Sequence, residues 1–435
     1  MEPISIFTTL PDEILIMICG NMCRHCTHPS KMSGSSWKYC ESTLSSLSQT
    51  CRRLRDIAQP VLHHTVTPWN MIPFVRTIIA RPDLASQVRQ LNTNEVNESE
   101  PFQRDIKICQ AEARRLNIRD RNELARTLLD NRITYYHLLL ELALALLPNV
   151  TKLSLMMPFG TDYQSEDFFK LPVAMKFVSS LVLLPQEPVD LGHLRSFLAM
   201  LPRLERLEIE ACQCITQPLP LAELRSLIIE RSGMGAASLQ MIVRSCPKLE
   251  HFGYNDWEGH YPPWYSGDEE DACSWGSVQR ILRLRKTTLK HLNIAFGRAD
   301  DFDYDMSDPA VYLGSFREFA RLETLWVLTT SFGIDGDRNP SFPEDVQDLV
   351  DMLPESITCL AFCGDHKNWH GIKTLALAVQ QGYFPNLKHV AVEQVETEFE
   401  ESRKELATLG VSCTSLYQRY IQTHAYFGSY LRGQS

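Results

Sequence analysis

What most restricts how this chain can fold is a short pattern that keeps returning from the middle of the sequence to near its end. Leu147-Pro148-Asn149-Val150-Thr151-Lys152-Leu153-Ser154-Leu155 matches Leu201-Pro202-Arg203-Leu204-Glu205-Arg206-Leu207-Glu208-Ile209. Further copies lie over 221–229, 246–252, 288–294, 320–327, 353–362 and 384–392. In each, an apolar residue, two polar residues and an apolar-polar-apolar alternation describe a bend leading into a half-buried strand. Helical periodicity fills intervening stretches such as Gly192–Leu201, Ala237–Cys246, Val346–Leu353 and Lys373–Gln381. Strands alternating with helices predict an α/β fold. If the units form a linear array, each buries its faces only by stacking on its neighbours.

The N-terminal stretch has a different character. In Leu10-Pro11-Asp12-Glu13-Ile14-Leu15-Ile16-Met17-Ile18, Pro11 is pre-set for the first turn of a helix, and Asp12 and Glu13 suit the positive end of its dipole. Thr9 and Asp12 are placed to form a polar capping box. Ile14 and Ile18 recur four apart, with Leu15 beside them and Met22 extending the row. Across an insertion, Leu44, Leu47, Cys51, Leu54 and Ala58 repeat at alternating spacings of three and four, with Arg52, Arg53 and Arg55 on the other side. Ser48 is a candidate cap at a break between two short helices. Pro60 is expected to end regular helix, leaving Val61–Val66 as a first strand. The expected product is a small helical hairpin or three-helix unit.

Leu10-Pro11-Asp12-Glu13-Ile14-Leu15 followed by Leu47-Ser48-Gln49-Thr50-Cys51-Arg52-Arg53-Leu54-Arg55-Asp56-Ile57-Ala58 resembles an F-box. The connection from Cys19 to Thr43 is longer than that family's pattern. The resemblance implies a helical unit that docks on a Skp-type adaptor, and through it on a cullin-RING ubiquitin ligase, while the rest of the chain selects a protein substrate. It further implies that Leu10, Pro11, Ile14, Leu15, Ile18, Leu44, Leu47, Cys51 and Leu54 form the adaptor-facing and internal apolar surface. The strand-and-helix units resemble leucine-rich repeats, although their spacing runs from about 20 to about 55 residues against roughly 20–29 in regular arrays. The expected architecture is therefore α/β: an F-box-like unit over 1–64 with an inserted loop at about 20–42, then an irregular leucine-rich-repeat-like solenoid over 65–435. Insertions are expected near 103–147, 255–274, 300–308 and 331–343. An ordinary α/β domain and a repeat scaffold with no ligase attached are the competing readings.

Composition limits the partners. The net charge of -10 argues against broad nucleic-acid or anionic-membrane binding, which needs a surplus of Lys and Arg. The longest apolar run, Tyr135–Leu147, carries His137 and Glu141, is too short to span a bilayer, and reads as a buried helix. Met1-Glu2-Pro3 lacks a basic start, so no secretory leader is expected. The 13 cysteines are scattered rather than framed as disulfides, which predicts reduced thiols in a cytosolic or nuclear setting.

Chemistry-bearing motifs are sparse, and no catalytic residue or cofactor is expected. No Gly-rich phosphate loop, nucleophile elbow or His-Glu-x-x-His pair is present. Asp301, Asp303 and Asp305 alternate like the start of a calcium loop, yet Met306 and Tyr312 stand where glycine and a closing acid belong. Cys19, Cys23, His25, Cys26, His28 and Cys40 raise a zinc reading, since Cys23 and Cys26 have ligand-pair spacing. A second well-spaced pair is missing, so the adopted reading is buried thiols plus a loop, with no metal. Trp257, Trp264 and Tyr265, in an aromatic insertion beside Asp268–Asp271, are the candidates for contacting substrate, because Trp and Tyr are favoured interface anchors.

Overall fold

A computed structural model of the chain describes residues 9–23, 25–27, 34–68, 70–93, 103–118, 132–157, 173–185, 188–256, 273–296, 314–328, 346–363, 370–392 and 397–415. It is an α/β structure built on parallel strands that divides into two compact units. One carries the chain to Gln186, with Ser196–Leu204; the other runs over Glu187–Arg195 and Glu205–Tyr426.

The first unit begins with three helices, α1 (Asp12–Asn21), α2 (Gly34–Thr50) and α3 (Arg52–Leu62). Strand β1 (Thr65–Val66) follows, then α4 (Met71–Ala80), a single turn α5 (Pro82–Ala85) and β2 (Gln90–Asn92). Helices α6 (Gln103–Arg115) and α7 (Arg132–Leu146) precede β3 (Lys152–Met157) and β4 (Ser180–Pro185). The strands pair in parallel in chain order, with Leu91 opposite Leu153, Leu153 opposite Leu181, and Leu155 opposite Leu183, all buried. Helix α7 is apolar on nearly every side, and Tyr136, Leu138, Leu139, Leu140, Leu142, Ala143 and Leu144 are buried as a helix of that kind must be. The buried Asp105 of α6 pairs with Arg76 of α4 at 2.9 Å, which satisfies a charge otherwise costly to enclose.

Two expectations at the start of this unit are corrected. Pro60 lies inside α3 rather than ending it, and the strand is limited to Thr65–Val66, with Val61 and Leu62 helical. Proline removes one backbone bond, at about 3 kcal/mol. Continuing the helix past Pro60 places Val61 in the core beside Ile57 and Ala58, and burial of a side chain of that size contributes about 1.5–3 kcal/mol.

The second unit holds β5 (Val189–Asp190), β6 (Arg206–Glu210), β7 (Cys212–Cys214), β8 (Ser226–Glu230), β9 (His251–Asp256), β10 (His291–Phe296), β11 (Thr324–Leu328), β12 (Cys359–Cys363), β13 (His389–Val392) and β14 (Ser412–Ser415). Strands β5 and β7 form a separate parallel pair. The others add in parallel, β6-β8-β9-β10-β11-β12-β13-β14. The expected helix over Gly192–Leu201 is a 3-10 turn, Leu191–Leu194, continued by α8 (Arg195–Ala199). Helices α9 (Ala236–Ser245), α10 (Trp275–Leu282), α11 (Val346–Met352), α12 (His370–Gln380) and α13 (Thr397–Thr408) lie between later strands.

Every copy of the sequence pattern contains a strand, and those from β6 to β13 are joined alike. One carbonyl just before a strand accepts two successive amides from the next: Glu205 from Arg225 and Ser226, Arg225 from Glu250 and His251, Glu250 from Lys290 and His291. Lys290, Glu323 and Thr358 repeat the arrangement further along. The register stacks Leu207, Leu227, Phe252, Leu292, Leu325, Leu360 and Val390 in one buried row. Ile209, Ile229, Tyr254, Ile294 and Val327 make a second. Both follow from the period-two alternation read in the sequence.

The first position of the register brings His251 and His291 together, their rings stacked at 4.3 Å. Burial, and for His251 the neighbouring His291, Lys290 and Arg206, push the imidazoles below their ordinary range, His251 to about 4, while Glu250 and Glu323 oppose the shift. Groups with lowered basicity take up fewer protons folded than unfolded, so the unfolded chain gains protons first as pH falls below about 6.5. Stability is therefore expected to drop between pH 6.5 and 5, at up to about 1.4 kcal/mol per pH unit for each histidine. Urea unfolding across that range tests this, and H251Q with H291Q should flatten the slope.

Candidate functional site

The N-terminal helices have a core of their own. Leu15, Cys19 and Cys23 come from α1 and the turn after it, Leu44 from α2, and Leu54, Ile57, Ala58 and Val61 from α3; Leu10, Met22, Leu47 and Leu62 pack around them. Spacings of three and four in each segment bring these side chains onto one face, where the three faces meet.

The helix starts depart in detail from the sequence reading. Pro11 is the N-cap of α1, not a first-turn residue, and its own side chain makes no capping hydrogen bond. Asp12 reaches Arg53 of α3, at 2.8 Å from Nε and 2.6 Å from Nη2. Nη2 of Arg53 also donates to the carbonyl of Leu10 at 2.5 Å, which ties the start of α1 to α3. As both charged groups are largely exposed, the ion pair contributes at most about 1 kcal/mol. Ser48 lies within α2 and donates to Ser45, so it caps nothing. The break falls at Cys51, whose sulfur accepts from the Leu54 amide at 3.5 Å. Helix α2 starts at Gly34, inside the stretch expected to be an inserted loop.

The residues assigned by resemblance divide into two groups. Leu15, Leu44 and Leu54 are buried and hold the helices together; Leu10, Ile18 and Leu47 are half-buried. Pro11, Ile14 and Cys51 are exposed. Ile16 and Met17, which the sequence reading did not select, are the most exposed large apolar residues of α1, at 53% and 56%. At 100° per residue, Ile14 and Met17 share a face while Ile16 stands on the opposite flank of the buried row. An unpartnered apolar face on a helix with a filled core can bind another protein surface.

At the end of this unit four potential ligands converge. Cys23, His25, Cys26 and His64 place one ligand atom each within 4.8 Å of one another. The turn that presents the first three is closed by the Cys26 and Thr27 amides donating to the Cys23 carbonyl, at 3.1 and 2.9 Å. Sγ of Cys26 lies 3.6 Å from Nδ1 of His25 and 3.3 Å from Nδ1 of His64, and Sγ of Cys23 lies 3.7 Å from the same His64 nitrogen. The two rings meet edge to face at 5.4 Å. Burial, with His25, Arg89 and His63, lowers the basicity of His64 to about 4, while burial and Cys23 push the Cys26 thiol up to about 11. Cys19, although buried nearby, and Cys40 are not members of the group. His64 was missed in the sequence because it is separated by 41 positions from Cys23 and sat in a segment expected to be a strand.

Elsewhere, burial pushes the Cys212 thiol up and that of Cys246 up to about 12, as for packed side chains without nucleophilic character. Trp257, Trp264, Tyr265, His28, the Asp301–Asp305 run and the C-terminal aromatics lie outside the described residues. No helix among the described residues is long and apolar enough to cross a membrane. Comparison with protein-family models and with curated proteins finds no match.

The division of the α1 side chains has a direct test. Leu15→Ala or Leu44→Ala should destabilise by about 2–5 kcal/mol, as for other buried leucines. Ile16→Ala or Met17→Ala should stay within about 0.5 kcal/mol. Chemical denaturation of the full chain, followed by a probe in the N-terminal helices, distinguishes the two groups.

Proposed function

We propose that the chain is the substrate-recognition subunit of a Skp-cullin-F-box type E3 ubiquitin ligase. Its N-terminal helices hold the adaptor, and the strand-and-helix region, an irregular leucine-rich-repeat-like solenoid, holds a target protein. The reading rests on the F-box-like sequence of the first helices. The observation that carries it beyond sequence is the exposed apolar face of Ile14 and Met17 beside Pro11, on a unit whose core is complete without that face. A helical cap that served only the repeats would have that apolar surface covered by them.

Such a protein does no bond chemistry. Binding two partners at once raises the effective concentration of a target lysine near the charged conjugating enzyme. The stacked parallel strands and their shared carbonyl ladder support the repeat reading, because a solenoid adds one equivalent unit after another. Trp257, Trp264 and Tyr265 stand as candidates for target contact on sequence grounds.

The second reading is a repeat scaffold without a ligase, whose N-terminal helices serve only as a cap. Co-purification of the full chain with a Skp-type adaptor separates the two. A stable complex is expected, reduced at least tenfold in affinity by Ile14→Asp with Met17→Asp, about 1.4 kcal/mol or more, with the folded state retained. Leu10→Ala with Pro11→Ala should weaken it in the same way. Absence of a complex with a folded chain, or binding unchanged by these substitutions, would overturn the ligase reading.

A further inference from the structure

The structure assigns a structural zinc site to Cys23, His25, Cys26 and His64. Two thiolates and two imidazoles are a familiar zinc donor set, and three sulfur-to-nitrogen separations among them match the edges around a tetrahedral ion. With Zn–S of about 2.3 Å and Zn–N of about 2.0–2.1 Å, the sulfur-to-nitrogen edge of a regular tetrahedron is about 3.6 Å. The corresponding separations here are 3.3, 3.6 and 3.7 Å. Hydrogen bonding alone would need only pairwise approaches. Here both sulfurs converge on one nitrogen of His64 while the second histidine closes the group, all within 4.8 Å.

Several features select the metal and its role. Soft sulfur with imidazole in tetrahedral array favours zinc over calcium or magnesium, which take oxygen ligands. Four protein ligands leave no open position, so the site is structural rather than catalytic. The Cys23-x-x-Cys26 turn is preformed by its backbone bonds to the Cys23 carbonyl. Cys23 itself is buried in the core of the N-terminal helices.

The site has a definite mechanical consequence. Cys23, His25 and Cys26 follow α1, whereas His64 lies between the end of α3 and β1. The His64 carbonyl accepts the amides of Arg89 and Gln90, both at 2.9 Å, so this residue also begins the hydrogen-bond ladder of the first unit. Zinc there clamps the turn after α1 to the first strand, and binding couples to folding of that junction. The assignment holds whether or not the helices dock on an adaptor.

The test is metal analysis of the full chain, purified without chelator and dialysed against metal-free buffer. About one zinc per chain is expected, four-coordinate and saturated by the protein. Cobalt(II) exchanged into the site should give the strong visible bands of a tetrahedral ion and a sulfur-to-cobalt charge-transfer band. Cys26→Ser and His64→Gln should each lose stoichiometric metal, and the cobalt that Cys26→Ser still holds should show about half of the charge-transfer intensity per bound ion, as one of two thiolates goes. Cys51→Ser, at an exposed thiol outside the group, should retain both readouts. His25→Asn, at a half-exposed turn position, provides a milder variant should His64→Gln fail to fold. A folded wild-type chain that takes up neither zinc nor cobalt would overturn the assignment. So would unchanged stoichiometry in Cys26→Ser and His25→Asn, or a Cys23–Cys26 disulfide found by thiol alkylation of the native protein.

Discussion

The constraint on which everything else rests is that a strand in this protein has no complete set of partners until the next one arrives. Its amides and carbonyls point sideways along the sheet, and buried backbone groups left unpaired are costly. The same solution recurs from β1 to β4 and from β6 to β13: one carbonyl before a strand receives two amides from the following strand. That shared acceptor sets the register, and the register aligns leucine with leucine from β6 to β12 with only Phe252 interposed. Hydrophobic burial then follows the hydrogen bonds rather than competing with them.

The N-terminal helices obey a different economy. They close a small core among themselves with three short amphipathic faces, and the requirement to fill it explains one local oddity. Helix α3 runs through Pro60 because stopping there would withdraw Val61 from the core. Asp12 pairs with Arg53, which joins α1 to α3 where the chain enters the unit. The converging Cys and His side chains sit where this core gives way to the first strand.

The parts legible in the sequence were those in which a local period coincides with a buried face. Each Leu-x-Leu or Phe-x-Tyr alternation became a strand, and the apolar run after Tyr135 became a buried helix. Strand β4 escaped because Phe177 and Val182 are apolar where the pattern has polar residues, although Val178 is buried like the matching apolar residue of the other copies. The site was less legible. Sequence grouped Leu15 with Ile14 because both are apolar neighbours, yet only three-dimensional packing says that one faces the core and the other solvent. His64 could not be found from spacing at all, since its partners are set by the path of α2 and α3, not by adjacency.

The strict chain order of the parallel strands has a kinetic corollary. Contacts in such an array join neighbours in sequence, so contact order is low relative to length, and assembly can proceed as the chain is synthesised. Each new strand finds a finished template already waiting. Lengthening the connection between two strands adds only about 0.6 kcal/mol of closure entropy per doubling. The long separations between Asp256 and His291, and between Phe296 and Thr324, are thus compatible with unbroken pairing of β9, β10 and β11. Evolution can therefore vary what hangs between the strands while leaving the order of assembly intact.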